Sequence, residues 1–268
     1  TRTLAGAIFV SLVIGSILYH PIAVFIVFFA FNFIALFEYT RMFKNQGASI
    51  QTSSVLFMGS LVYLLIGSYA NGWIEANILY AIIPLIFILF ISSLFQRNEK
   101  PFEDLGIKVL SLIYIAAPFG LFNIVANMGM IGDSHAEPLL LISFFVLVWS
   151  SDTFAYLSGI TFGKHRLFER ISPKKSWEGS IGGAIATMII AWFIGYYSGI
   201  FTPWIWLIIA LFIVITATLG DLVESMLKRQ SNVKDSGSIM PGHGGILDRF
   251  DAAIFSIPFY VFLLYLLA

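Results

Sequence analysis

No cysteine occurs among the 268 residues, which excludes a disulfide framework and a thiolate metal site. Charge is also scarce. Asp, Glu, Lys and Arg make up 11% of the chain, against about 25% in an ordinary soluble domain. Too little polar surface is left to face water all round, so a free globular protein is excluded and an integral membrane protein is indicated. Strand alternation of the outer-membrane type is missing, which removes a β-barrel. No Walker A sequence, His/Cys zinc spacing, internal repeat or low-complexity tract is present. What remains is hydrophobic: 59% apolar residues and 27 Phe, with the Trp and Tyr that suit membrane interfaces.

A spanning helix needs about 20 mostly apolar residues. Nine runs qualify, at roughly 3–19, 21–39, 53–70, 77–95, 106–126, 138–160, 179–198, 203–223 and 250–268. The expected fold is therefore all-α, a polytopic helical bundle of about nine transmembrane helices. The first run lacks a small-residue cleavage site and reads as a span rather than a signal peptide. The chain does not begin with Met, consistent with a few missing residues. His20-Pro21 splits the first two runs, because proline disfavours helix in the residue before it. Division is expected into N-terminal helices over 1–130, about five spans, and a C-terminal catalytic region over 131–268.

Lys and Arg orient the bundle. With nine spans, Arg2, Arg41, Lys44, Arg97, Lys100, Lys108, Lys164, Arg166, Arg170, Lys174, Lys175, Lys228, Arg229, Lys234 and Arg249 all fall on one side. These are all 15 basic residues of the chain. The opposite loops, "ANGWIEAN", "NMGMIGDSHAEP" and "YSGIFTP", hold none. The N-terminus is expected in the cytoplasm and the C-terminus outside. Two cytoplasmic loops, about 161–178 and 224–249, are long and rich in Gly, Pro, Lys and Asp. Loops longer than about 12–15 residues in a compact domain tend to be functional or disordered, so chemistry is sought there.

Acids gather at the cytoplasmic ends of the spans: Asp152 in "WSSDTFAYLSG", Asp221 and Glu224 in "TLGDLVESMLKR", Asp248 and Asp251 in "ILDRFDAA". An ionised carboxylate near the bilayer centre costs at least ~2.5–3.5 kcal/mol, so such residues line cavities and find partners. Asp248 and Asp251, three apart, share a helix face, as do Asp221, Ser225 and Lys228. Carboxylates from two helices are the oxygen ligands that a hard cation such as Mg²⁺ takes while keeping room for water and phosphate. Each acid alone also reads as a helix cap or an ion pair with Lys228, Arg229 or Arg249. Lys174 and Lys175 in "GKHRLFERISPKKSWEG" suit a triphosphate as point charges. Positive-inside bias explains the same loop equally well. "GHGG", Gly242 to Gly245, lets the backbone approach a phosphate, or is simply a turn into the last span. His20 and His135 read as bystanders. Gly159 and Gly163 read as close helix packing.

From Ser225 the chain runs "SMLKRQSNVKDSGSIMPGHGGILDRFD". It resembles the signature of phosphatidate cytidylyltransferases at Ser225, Lys228, Arg229, Lys234, Asp235, His243, Gly244, Gly245, Asp248, Arg249 and Asp251. A second segment, "SDTFAYLSGITFGKHRLFERISPKKSWEGSIGG", is similar to the same family at Asp152, Ser172, Pro173, Lys174, Lys175, Glu178 and Gly179. The motif-level match covers about 150–252. The resemblance implies that CTP and phosphatidic acid yield CDP-diacylglycerol and pyrophosphate with Mg²⁺, and a second metal ion is admissible. It implies a catalytic set of Asp248, Asp221, Lys228, Arg229 and His243. Substrate contacts would come from Ser172, Lys174, Lys175, Glu178, Ser225, Lys234, Asp235, Gly244, Gly245 and Arg249. Metal ligands would be Asp221, Asp248, Asp251 and Asp152. The implied partners are the bilayer and a second copy of the chain, with no nucleic acid, in a bacterial inner membrane with the site facing the cytoplasm. Two other readings stay open: a polyprenol kinase-like CTP-dependent lipid enzyme, and a transporter.

Overall fold

The structure, a computed structural model, describes residues 2–96, 99–128, 136–237 and 244–267. Arg97, His135 and His243 lie outside the described residues. Side chains are described from residue 5 and, after the second gap, from residue 138.

Each of the nine expected runs is helical. They are α1 (Arg2–Tyr19), α2 (Pro21–Lys44), α3 (Thr52–Ala70), a 3-10 turn (Ala76–Ala81) leading into α4 (Ile82–Leu94), and α5 (Pro101–Ser111) continuing through a π-helical turn (Leu112–Ala116) into α6 (Ala117–Ala126). Then follow α7 (Ala136–Phe162), α8 (Trp177–Ser198), α9 (Pro203–Gln230) and α10 (Leu247–Leu267). Among the described residues, eight helical stretches are long and apolar enough to cross a membrane, and α1 contributes a shorter apolar stretch, Ala5–Tyr19.

Local chemistry sets the breaks. His20 caps α2, its Nδ1 accepting from the amide of Ile22, and Pro21 takes the first helical position where no amide is needed. Pro118 has no amide for the carbonyl of Tyr114 and its ring crowds that carbonyl, which accounts for the wider turn just before it. Ser176 caps α8 by accepting from Gly179 N at 3.1 Å.

Chain contacts divide the molecule into two units. One comprises residues 1–127 and 230–249, the other 128–229 and 250–268. In the first, α2 packs against α6 through Phe28, Phe119 and Phe122, and against α3 through Phe25, Phe29 and Tyr63. A polar chain threads this apolar core. Tyr63 Oη donates to the carbonyl of Phe25 at 2.7 Å and accepts from Asn123 Nδ2 at 2.9 Å, so the hydroxyl and the amide nitrogen are both paired where no water competes. Lys108, expected between spans, is instead in α5 and only 1% exposed; its ammonium reaches back along its stem to Gln96 Oε1 at 2.9 Å.

In the second unit α7 and α8 form the most extensive pair. Gly159, expected to pack closely, meets Gly179 there, a Cβ on Gly159 lying 3.7 Å from the Gly179 Cα, while Gly163 falls just past the end of α7. Thr216 donates to Ser256 across α9 and α10 at 3.0 Å, and Tyr260 donates to the carbonyl of Leu140 at 2.9 Å. The long loop after α7 is more ordered than a loop reading suggests. It forms an antiparallel hairpin of β1 (Arg166–Phe168) and β2 (Ser172–Ser176), pairing Arg166 with Ser176 and Phe168 with Ser172.

Candidate active site

Each unit holds one polar cluster built from the predicted residues. In the second unit, Gly220 sets the geometry. A Cβ there would fall 2.6 Å from the Phe255 Cβ and 2.9 Å from the Asp251 carbonyl oxygen, so α9 and α10 touch where only glycine fits. Asp221 follows immediately on α9. Asp152 of α7, Asp221 of α9 and Asp251 of α10 lie within electrostatic reach of one another. Asp152 is exposed, while Asp221 and Asp251 are half-buried, so the cluster is open to a ligand rather than sealed in the core.

Two lysines enter this acidic group. Lys175, the last lysine of β2, pairs with Asp221 and lies within electrostatic reach of Asp152. Ser225 donates to the other oxygen of Asp221 at 3.2 Å. Lys228 pairs one turn along α9 with Glu224, whose side chain is fully buried. Arg229 is exposed beside it. Among the described residues no three Asp, Glu or His side chains stand as a closed metal cage, and Lys175 already engages one oxygen of Asp221. The donor chemistry still fits a hard cation: three carboxylates from three helices, offering oxygen only.

Glu178 organises the hairpin at the entrance to α8. It accepts from the amides of Lys164 at 3.0 Å and His165 at 3.1 Å, and meets His165 Nδ1 at 2.6 Å. Its place is structural in this arrangement: it closes the hairpin and thereby sets where Lys174 and Lys175 emerge. Lys174 is exposed and Ser172 half-buried on the same strand.

The first unit holds Asp248. One of its oxygens, Oδ2, accepts from the Ser236 amide at 2.9 Å, the Ser236 hydroxyl at 2.9 Å and the Gly245 amide at 2.7 Å. Gly244 takes φ +79°, a left-handed conformation that favours glycine, and this turns the chain into α10. Lys234, Asp235 and Arg249 are exposed. A residue that the motif reading overlooks also stands here. Glu38 of α2 is 2% exposed and accepts from the amides of Ile246 at 3.1 Å and Leu247 at 2.9 Å. Its sequence signal is a lone carboxylate inside an apolar span, masked by Arg41 and Lys44, which make it look like an interfacial acid.

Comparison with known proteins identifies the family. A family model described as "Cytidylyltransferase family" matches residues 1–267. The chain belongs to the cytidylyltransferase family. Among its relatives is a protein of Bacillus subtilis (strain 168) named phosphatidate cytidylyltransferase, 36% identical over 98% of this chain and 95% of its own length. A protein of the same name from Staphylococcus haemolyticus (strain JCSC1435) is 33% identical over 96% of this chain and 95% of its own length. Another of that name, from Staphylococcus aureus (strain COL), is 34% identical over 84% of this chain and 83% of its own length. Membership spans both units. The chain is therefore a nucleotidyltransferase, and the transporter reading falls away.

Proposed function

We propose that this chain is a phosphatidate cytidylyltransferase, making CDP-diacylglycerol and pyrophosphate from CTP and phosphatidic acid at the cytoplasmic face of a bacterial inner membrane. The observation that carries the reading is the gathering of Asp152, Asp221 and Asp251 with Lys175 in a family member matched along nearly its whole length. The relatives' printed name supplies the substrate. The catalytic region is 131–268, with the helices of 1–130 as its membrane scaffold.

The chemistry needs two anions to meet. A phosphate oxygen of the lipid forms a bond to the α-phosphorus of CTP, and the bond from that phosphorus to the bridging oxygen of the β-phosphate breaks, releasing pyrophosphate. The lipid phosphomonoester is itself the nucleophile, so no covalent enzyme intermediate is required. Catalysis is positioning plus charge neutralisation. Asp152, Asp221 and Asp251 would hold Mg²⁺, with Asp248, one turn before Asp251 on α10, assigned to them by the sequence pattern. When bound, the ion neutralises charge on the phosphates. Lys174 and Lys175 are placed to meet the triphosphate, Lys175 exchanging its carboxylate partner for phosphate oxygens. Lys228 stays oriented by Glu224 and, with Arg229, faces the leaving pyrophosphate. Ser172, Glu178, Ser225, Lys234, Asp235, Gly244, Gly245 and Arg249 complete the substrate contacts, and His243 belongs to the same proposal through the motif. The family resemblance also supports a homodimer.

Purified protein in liposomes should release pyrophosphate and form CDP-lipid from radiolabelled CTP only with both phosphatidic acid and Mg²⁺. Asp221→Asn and Asp248→Asn should each lower turnover by roughly a hundredfold or more while the protein stays folded. No CDP-lipid from the parent sinks the assignment. A phosphorylated lipid on thin-layer analysis turns it toward the polyprenol kinase-like reading.

A further inference from the structure

Glu38 of α2 is a buried carboxylate that the reaction as described does not use. Glu38 sits six residues before the end of α2, about 9 Å from the helix terminus at 1.5 Å per residue. A carboxylate there is costly unless its oxygens are met by donors. Both oxygens are met, and by one segment: Oε1 by the Ile246 amide at 3.1 Å, Oε2 by the Leu247 amide at 2.9 Å. The Ser236 hydroxyl lies 3.4 Å from Oε2. That hydroxyl has one proton and stands 2.9 Å from Asp248 Oδ2, so its hydrogen bond goes to Asp248 and Glu38 receives only the longer contact.

Two glycines confirm how tightly the segment folds around this side chain. A Cβ on Gly237 would lie 2.7 Å from the Glu38 Cδ, and a Cβ on Gly245 would lie 2.5 Å from it. The backbone at Gly237 and at Gly245 is therefore moulded to the carboxylate. The same segment presents Asp248, whose Oδ2 takes the Ser236 and Gly245 amides. Glu38 fixes the entry to α10 from outside, and Asp248 ties it from within.

We propose that Glu38 is a positioning residue for the reaction: from α2 its carboxylate holds residues 244–248, with Ser236 and Gly237 beside them, in the conformation that presents Asp248. This rests on the proposed cytidylyl transfer. Glu38 touches no reacting atom. Its effect passes through two backbone amides, and charge alone does not suffice, because the reach of the side chain decides whether both are met.

Three variants separate the possibilities. Glu38→Gln keeps the shape but sets an NH₂ group against an amide donor. Glu38→Asp keeps the charge and loses one methylene of reach. Gly237→Ala leaves Glu38 intact and pushes its carboxylate off the segment. Hydrogen–deuterium exchange of the full-length protein in detergent, without substrate or metal, reads the anchor directly. Peptides covering 244–250 should exchange roughly tenfold faster in all three, with α3 peptides unchanged. With CTP and phosphatidic acid, kcat should fall roughly ten- to a hundredfold and the Mg²⁺ half-saturation should rise about fivefold or more. Tyr63→Phe, which removes the hydroxyl that pairs with Phe25 and Asn123 in the same unit, should lower the thermal midpoint without moving the Mg²⁺ dependence.

Unchanged exchange at 244–250 in Glu38→Gln and Gly237→Ala overturns the inference. So does faster exchange with parental kcat and Mg²⁺ half-saturation, since the anchor would then be structural only. Should Glu38→Gln fail to fold, Gly237→Ala carries both arms. An inactive parent enzyme counts against the proposed function instead, and the exchange arm then decides whether the anchor exists.

Discussion

Glu224 and Lys228 show how a single residue can be tested for two roles at once. Their ion pair lies within one turn of α9, with side chains 0% and 13% exposed. Breaking a buried pair by removing one partner costs about 3–5 kcal/mol, because the remaining charge stays desolvated, whereas replacing both with apolar residues of similar size is often near neutral. Glu224→Met should therefore lower the thermal unfolding midpoint sharply. The double variant with Lys228→Met should recover most of that stability. Turnover should not return with it if Lys228 faces the pyrophosphate as proposed. Recovery of both stability and activity would make the pair purely structural. At this scale the motif reading named Lys228, Asp221 and Lys175 by residue type, but their pairings were not legible. Nothing in "SPKKSWEG" says that Lys175, rather than Lys174, turns toward Asp221; that depends on the alternation of β2. Glu38 was illegible for the opposite reason. Its partners are backbone amides more than 200 positions away in sequence, and amides leave no signature in residue type.

The helices were the most legible elements, because the lipid solvent requires long uninterrupted apolar runs with internally satisfied backbones. Their ends were less so. α2 runs on to Lys44 and α9 to Gln230, past the last apolar residues, since charged turns can stay helical outside hydrocarbon. The β1–β2 hairpin had no readable signal. "SPKKS" has a proline and two lysines, poor strand formers, and the strand exists because Glu178 closes its base and Ser176 is spent as the α8 cap. Helix contact, by contrast, makes a sharp prediction at Gly220. Gly220→Ala adds a methyl against the Phe255 Cβ and the Asp251 carbonyl oxygen, so α9 and α10 must part. In liposomes turnover should drop roughly tenfold or more as Asp221 shifts against Asp251. Gly15→Ala in α1, where nothing lies within 4 Å of the added methyl, should leave turnover unchanged and raise stability by up to about 1 kcal/mol. Equal behaviour of the two variants would show that the α9–α10 contact does not set the site.

For the whole molecule, the proposed orientation rests on charge rather than on packing, since basic residues resist translocation in short loops. Among the described residues, every Lys and Arg that is not within a helix lies in a connection assigned to the cytoplasm, while the connections 71–75 and 199–202 contain none. Lys108 does not weaken this, because its ammonium is drawn back to Gln96 in the same basic connection. The absence of cysteine makes the topology directly measurable, as each introduced thiol is the only one in the chain. Glu75, Gln46 and Glu169 are exposed and lie in three different connections. In intact cells, or in right-side-out vesicles of the inner membrane, an impermeant maleimide should label Glu75→Cys at once. Gln46→Cys and Glu169→Cys should react only after the membrane is permeabilised. The reverse pattern would place the hairpin with Lys174 and Lys175 on the side that lacks CTP. That result would contradict the proposed reaction itself, because a nucleotide-consuming site cannot work where no nucleotide is supplied.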